Sequence, residues 1–85
     1  MNNNDLENTI DEFMETQSDF VSPYRLAKIC SVLVGYEVIP QMIYSYVSQK
    51  FIEVTLNDLG KKQISRVEAT RWLKKYVVKN YMKKS

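Results

Sequence analysis

Apolar side chains recur at helical spacing near the start of the chain, with polar side chains at the positions between them. Within residues 5–17 one face is apolar and the other is mostly acidic, which is typical of an amphipathic helix. The apolar positions are Leu6, Ile10, Phe13 and Met14. An isolated helix of this length is marginally stable, so we expect the stripe to pack either on the rest of the chain or on a second copy.

A second helix is predicted over residues 22–34, because both of its ends carry local signals. Ser22 suits the N-cap, and Pro23 suits the first helical position, where its missing N–H is not needed. Gly35 can take the left-handed conformation that commonly ends a helix. The sequence TQSD before this helix predicts a short linker.

Pro40 can open a third helix, which we predict over residues 40–49 after a tight connection. The two faces of this helix differ in character. The stripe predicted to face the core consists of Ile43, Tyr46 and Val47. The opposite stripe, which is the candidate contact face, consists of Gln41, Tyr44, Ser45 and Ser48.

The residues after the third helix predict a β-hairpin. The sequence FIEVTL over 51–56 alternates apolar and polar positions, as a half-buried strand does. NDLG is favourable turn material, in which Gly60 can take a positive φ, and KKQIS can return as a second strand with Ile64 inward. The inward positions predicted for the first strand are Ile52, Val54 and Leu56.

The last helix begins at a recognisable N-terminal pattern. Ser65 and Glu68 have the spacing of a capping box, in which each side chain accepts a backbone N–H of the other residue. A small domain needs its largest apolar side chain for the core, so we assign Trp72 to it. Cys30 is assigned to the core as well, because a free cysteine behaves as a small apolar residue. The inner face predicted for this helix is Ala69, Trp72, Leu73, Tyr76, Val77 and Asn80.

Composition excludes several classes of function. The chain has 85 residues, no histidine and one cysteine, so it offers neither a zinc ligand set nor a Cys–His or Ser–His pair for catalysis. We therefore expect a non-enzyme with no metal, no cofactor and no small-molecule substrate.

The expected location follows from three features of the sequence. No apolar run approaches the ~20 residues of a membrane span, and the start does not resemble a signal peptide. A single cysteine suits a reducing compartment. A cytoplasmic location away from membranes is the expectation.

Charge divides the chain unequally, although the total is only +2. Residues 1–20 carry six acids and no Lys or Arg, whereas residues 21–85 carry all twelve basic residues and four acids, a net charge of +8. A basic body suits a polyanionic partner such as nucleic acid, and solubility alone is the alternative. We divide the chain into an acidic amphipathic segment (1–20), a domain (21–80) and a basic tail (81–85).

The predicted order of helix, helix, helix, hairpin and helix indicates a mostly α fold with a small β-hairpin. Two helices joined by a short turn and followed by a hairpin describe a winged helix-turn-helix, here with an extra N-terminal helix. The ordered sequences RLAKI (25–29), IPQMIYSYVSQKFI (39–52) and KKQISRVEATRWL (61–73) resemble the DNA-binding domains of excisionases and MerR-type regulators. The resemblance covers residues 22–77, with Lys50 where those domains usually carry glycine.

The resemblance implies that the third helix enters the major groove of double-stranded DNA. Gln41 then suits adenine, and Ser45 and Ser48 can donate or accept at base edges. Tyr44 would reach a phosphate or a sugar, and Met42 a thymine methyl group. The implied function is that of a small transcription regulator or an excisionase-like architectural factor.

Phosphate contacts are expected around this helix. The wing of the resembling domains contacts the DNA backbone or minor groove, and Lys61 and Lys62 suit such a role, although they also protect an edge strand from pairing. Pro40 would bring the N-terminus of the third helix close to a phosphate. The other basic candidates are Arg25, Lys28 and Lys50.

Two further expectations concern partners. Tyrosine and methionine also mark protein interfaces, so a winged-helix module that binds a protein and no DNA is the alternative function. A DNA reader of this size is expected to be a homo-oligomer, because one helix covers few base pairs, and the N-terminal helix is a candidate contact. The acids of that helix also suggest a hypothesis, namely that it weakens nonspecific DNA binding.

Overall fold

Four α-helices and a small three-stranded antiparallel sheet share one apolar core. The computed structural model describes the backbone of residues 3–84 and the side chains of residues 4–80. The mostly helical architecture with a small β component is the one that the sequence predicts. In chain order the elements are α1 (Asn3–Glu15), β1 (Phe20–Val21), α2 (Pro23–Val34), α3 (Pro40–Ser48), β2 (Thr55–Leu56), β3 (Lys62–Ser65) and α4 (Arg66–Lys84).

Helix α1 packs on α4 within this core. Its apolar stripe of Leu6, Ile10 and Met14 is buried. Asp11 of α1 also forms an ion pair with Lys74 of α4, with 2.9 Å between the charged atoms. Of the two arrangements expected for the stripe, packing on the rest of the chain is the one observed. Helix α1 therefore shares one core with residues 21–80, and a dimer through the stripe would require α1 to undock.

Helices α2 and α3 begin and end close to the predicted positions. The Ser22 hydroxyl accepts the N–H of Arg25 at 3.0 Å, and Gly35 has φ +79°, so both local signals act as expected. Ser31 then joins the two helices: its hydroxyl accepts the N–H of Val38 at 2.8 Å and donates to the carbonyl of Ala27 at 2.8 Å. This contact fixes the connection that precedes α3.

The sheet has one strand more than the predicted hairpin. Its order is β1-β3-β2, because Val21 of β1 pairs with Ile64 of β3 on the side away from β2. The linker that leads into β1 is held by Arg66, which donates to the carbonyl of Gln17 at 3.0 Å and lies 3.7 Å from the carboxylate of Asp19. The third strand went unpredicted because a two-residue strand carries no periodic signal of its own.

The predicted strand 51–56 was too long. Only Thr55–Leu56 forms a strand, and Leu56 is 65% exposed, not inward as the alternation suggested. The preceding residues form an irregular loop that side chains of α4 support: Arg71 donates to the carbonyl of Phe51 at 3.0 Å, and the Glu68 carboxylate accepts the N–H of Glu53 at 2.8 Å.

The expected capping box is therefore only half formed. Glu68 does donate its backbone N–H to the Ser65 hydroxyl at 3.1 Å. Its carboxylate accepts hydrogen bonds from the N–H of Glu53 in the loop and from Arg71, and not from the N–H of Ser65. The inner face of α4 packs inward as predicted, with Trp72 in the core. Cys30 of α2 is also buried in the core. The side chains of the segment predicted as a basic tail, 81–85, lie outside the described residues.

Candidate nucleic-acid interface

Three elements meet around one side chain of α3, Tyr44. The Nζ of Lys62 on β3 lies 5.8 Å from the centroid of the Tyr44 ring, within the distance at which a cation and an aromatic face attract. On the other side, the ring of Tyr24 at the start of α2 meets Tyr44 edge to face at 6.3 Å. The exposed stripe of α3 and the second strand of the hairpin therefore belong to one surface.

An open depression of about 490 Å³ extends from Tyr44 toward the hairpin. The first residues of α2 and the adjoining β1 form one side, and the hairpin forms the other. Its lining combines aromatic rings with lysine side chains, a mixture suited to a sugar–phosphate surface. The aromatic and polar side chains that line it include Phe20, Tyr24, Tyr44, Asn57, Lys61 and Lys62.

The hairpin turn holds both lysines in a defined position. The side-chain oxygen of Asn57 accepts the N–H of Leu59 at 2.8 Å and that of Lys61 at 3.0 Å. Gly60 takes φ +75°, as the sequence predicts for this turn. The side chains of Lys61 and Lys62 are exposed. The turn therefore presents two ammonium groups beside α3 with little backbone freedom.

The polar stripe of α3 faces solvent, as predicted. Gln41, Ser45 and Ser48 are exposed, and the Ser45 hydroxyl accepts a hydrogen bond from the side chain of Gln49 at 3.0 Å. That bond leaves the Ser45 hydroxyl hydrogen available to a ligand. Pro40, at the first turn of α3, is half-buried.

Met42 lies elsewhere than expected. Its side chain is half-buried against the core, and the hydroxyl of Tyr76 is 3.8 Å from its sulfur. Met42 precedes Tyr46 by one helical turn, so it belongs to the inward side of α3 and not to the polar stripe. A contact between Met42 and a thymine methyl group is therefore not available in this arrangement.

The three remaining basic candidates are exposed but lie in different surroundings. Arg25 is directed toward the α1–β1 linker, because its Nε donates to the side chain of Gln17 at 3.2 Å. Lys28 lies one helical turn after Tyr24 on the exposed side of α2. Lys50 follows α3 with φ +66°, a left-handed conformation in the place where glycine was expected from the resemblance.

Two aromatic residues of this surface were not predicted from the sequence. Phe20 and Tyr24 are 46% and 66% exposed, and both line the depression. A signal for Tyr24 was present, because its spacing from Lys28 places both on the stripe of α2 opposite the apolar positions. No comparable signal exists for Phe20, whose position depends on the pairing of β1 with β3.

Two acids of the N-terminal segment lie beside cations of α4. Asp11 pairs with Lys74, and Asp19 lies beside Arg66. Among the described residues, neither Lys61 nor Lys62 takes part in an ion pair within 4.0 Å. The hypothesis that the acids of α1 weaken nonspecific DNA binding stays a prediction.

Within residues 3–84, no helix combines the length and the apolar character needed to cross a membrane. The one cysteine offers no reactive thiolate, because burial raises the pKa of the Cys30 thiol to about 12.

No protein-family model matches the chain, and comparisons with curated proteins and with solved structures found no similar protein.

Proposed function

We propose that the chain binds double-stranded DNA as a winged helix-turn-helix, with α2 and α3 as the two helices and β2–β3 as the wing. The observation that carries the proposal is the position of Lys62 over the ring of Tyr44, 5.8 Å from its centroid. It places the cationic hairpin and the polar stripe of α3 on the same side of the molecule, as binding to one duplex requires.

In this proposal α3 enters the major groove. The amide of Gln41 reads adenine, and Ser45 and Ser48 contact neighbouring base edges. Tyr44 and the first turn of α3 at Pro40 contact the phosphate backbone. These groups are short and polar, so they read bases only when the helix lies deep in the groove.

The lysines supply affinity that is independent of base sequence. Lys61 and Lys62 contact phosphates from the wing, and Lys28 and Lys50 add charge around α3. Each ammonium is a point charge without the forked geometry that reads guanine, so these contacts position the protein. The chain acts as a small regulator or as an architectural factor, and pairs of molecules on adjacent sites extend the sequence that is read.

Selection from a random duplex pool tests this proposal. The expected result is enrichment of a shared sequence of a few base pairs, whose affinity in an anisotropy titration falls steeply with salt. No enrichment, together with no binding of any duplex in dilute buffer, would overturn it. The alternative, a winged-helix module that binds only protein, predicts that second result.

A further inference from the structure

A second aromatic surface lies on the other side of α3 from Tyr44. Phe51, just after α3, is 56% exposed although its backbone is held firmly. Its N–H donates to the carbonyl of Tyr46 at 2.9 Å, and its carbonyl accepts a hydrogen bond from Arg71 at 3.0 Å. The preceding Lys50 takes φ +66°, which is costly for a residue with a side chain. Phenylalanine is among the residues that are enriched at protein interfaces.

Phe51 forms one wall of a groove with a cavity of about 250 Å³. Tyr46 connects the walls: its ring meets Phe51 at 6.0 Å and Trp72 at 5.3 Å, both edge to face. Trp72 stacks on Tyr76 at 5.0 Å, and the Tyr76 hydroxyl hydrogen-bonds that of Tyr36 at 3.0 Å. These contacts fix the rings, so the cavity is preformed. Its volume suits one large side chain.

The rim of this groove is cationic. Arg71, Lys75 and Lys79 follow one another at four-residue spacing on α4 and all line the cavity. Arg71 is matched by Glu68, with 2.7 Å between the charged atoms. Among the described residues, the ammonium groups of Lys75 and Lys79 have no ion-pair partner within 4.0 Å. The rim therefore offers two cations to an anionic ligand.

We propose that this groove binds a short acidic segment of a partner protein, with a large aromatic or aliphatic side chain in the cavity and carboxylates on Lys75 and Lys79. Aromatic residues and arginine are enriched in protein-binding hot spots, and the rim of such an interface is polar. Single-stranded nucleic acid fits less well, because it needs a row of accessible rings. Only Phe51 is well exposed here, while Trp72 is 4% exposed.

The groove is separate from the proposed DNA surface. Tyr44 and Tyr46 are two positions apart, so they project from nearly opposite sides of α3. The chain can hold a duplex on one side and an acidic partner on the other, which is how a small DNA reader recruits a second protein. The groove does not depend on DNA binding, and each activity can be lost without the other.

The test uses fluorescein-labelled nonapeptides with four acidic residues on each side of a central phenylalanine or tryptophan. Matched probes carry a central alanine, or lysines in place of the acids, and nine-residue oligothymidylate is the nucleic-acid probe. We expect the acidic aromatic peptides to bind at least about tenfold tighter than either matched peptide. In ¹H–¹⁵N spectra they should shift the amides of Phe51, Trp72 and Lys75 first.

Two variants and one matched control complete the design. Phe51→Ala and the double variant Lys75→Glu, Lys79→Glu should each weaken peptide binding at least about tenfold. Lys61→Glu with Lys62→Glu makes the same charge change on the DNA surface and should leave peptide binding unchanged. Circular dichroism confirms that each variant is folded. Equal affinity for the aromatic and alanine peptides, unchanged binding by both groove variants, or tighter binding of oligothymidylate would overturn the proposal.

Discussion

Lys62 of β3 places its ammonium group 5.8 Å from the centre of the Tyr44 ring on α3. Eighteen positions separate the two residues in sequence, and the contact joins the hairpin to the exposed stripe of the helix. An exposed pair of this kind contributes roughly 0.5–1 kcal/mol, so it orients the wing and does not determine the fold. Its importance is geometric, because it brings a lysine of the hairpin and the exposed stripe of α3 onto one face.

If α3 reads bases, removing its polar groups should lower discrimination more than affinity. The double variant Gln41→Ala, Ser45→Ala should bind a selected duplex roughly 10- to 100-fold more weakly while binding random duplex almost as before. Competition between the two duplexes in an anisotropy assay measures the ratio of their affinities. Asn8→Ala with Ser18→Ala, at exposed positions outside the surface, is the control. Equal loss on both duplexes would assign the stripe a role other than base reading.

Ser31 should contribute to stability through the connection between α2 and α3. Ser31→Ala removes the acceptor for the N–H of Val38, which lies 2.8 Å away, and leaves that group poorly satisfied. We expect the free energy of unfolding to fall by about 1–3 kcal/mol in urea titration. Ser18→Ala, on the exposed linker, should change it by less than about 0.5 kcal/mol. Matching values for the two variants would show that other interactions hold the connection.

The protein should be more stable with glycine in place of Lys50. The φ of +66° at Lys50 is unfavourable for a residue with a Cβ, by roughly 1–2 kcal/mol. Lys50→Gly should raise the free energy of unfolding by up to about 1 kcal/mol, whereas Lys50→Val should lower it by at least as much. The same change to glycine at Lys28, within α2, should lower stability by about 1 kcal/mol. Stability lost at both positions would contradict the left-handed conformation.

Glu68 should make the protein sensitive to acid. The hydrogen bonds from Arg71 and from the backbone N–H of Glu53 lower the pKa of this carboxyl against the opposing effect of burial. A carboxyl whose pKa is lowered on folding stabilises the protein above its unfolded pKa of about 4.3, and this contribution is lost as pH falls through the folded pKa.

Glu68→Gln should remove that acid-sensitive contribution. At pH 7 we expect the variant's free energy of unfolding to be lower than that of wild type by about 1–2 kcal/mol. This difference should become smaller as the pH is lowered below about 4.3. Urea titrations at several pH values measure the difference. Glu12→Gln, at an exposed position of α1, is the control. A difference that does not change with pH would show that packing, not charge, explains the effect.

The sequence predicted the features that depend on local chemistry. Ser22 and Gly35 define the ends of α2 because a cap acts within one turn, and the apolar spacing of α1 and α4 identified their buried faces. The loop at Phe51 could not be predicted, because the groups that satisfy its backbone belong to Glu68 and Arg71 on α4. Short alternation alone does not distinguish such a loop from a strand.

The candidate site was predicted in part for a similar reason. Helical spacing placed Gln41 and Ser45 on the exposed side of α3, and the turn sequence placed Lys61 and Lys62 beside each other on the hairpin. The sequence could not show that Tyr24 meets Tyr44, since that contact depends on how α2 packs on α3. Met42 was proposed to contact a thymine methyl group because of its chemical type, and its position one turn before Tyr46 places it against the core.

The salt dependence of duplex binding in two charge-matched variants decides whether the wing and α3 form one DNA-binding face. Lys61→Ala with Lys62→Ala removes the wing cations, and Lys75→Ala with Lys79→Ala removes the same charge from the far side of α3. We expect the first variant to bind more weakly, with a slope of log affinity against log salt that is shallower by about 1 for each phosphate left without its lysine, while the second resembles wild type. Equal slopes in both variants, or no measurable duplex binding by wild type at low salt, would contradict a shared face.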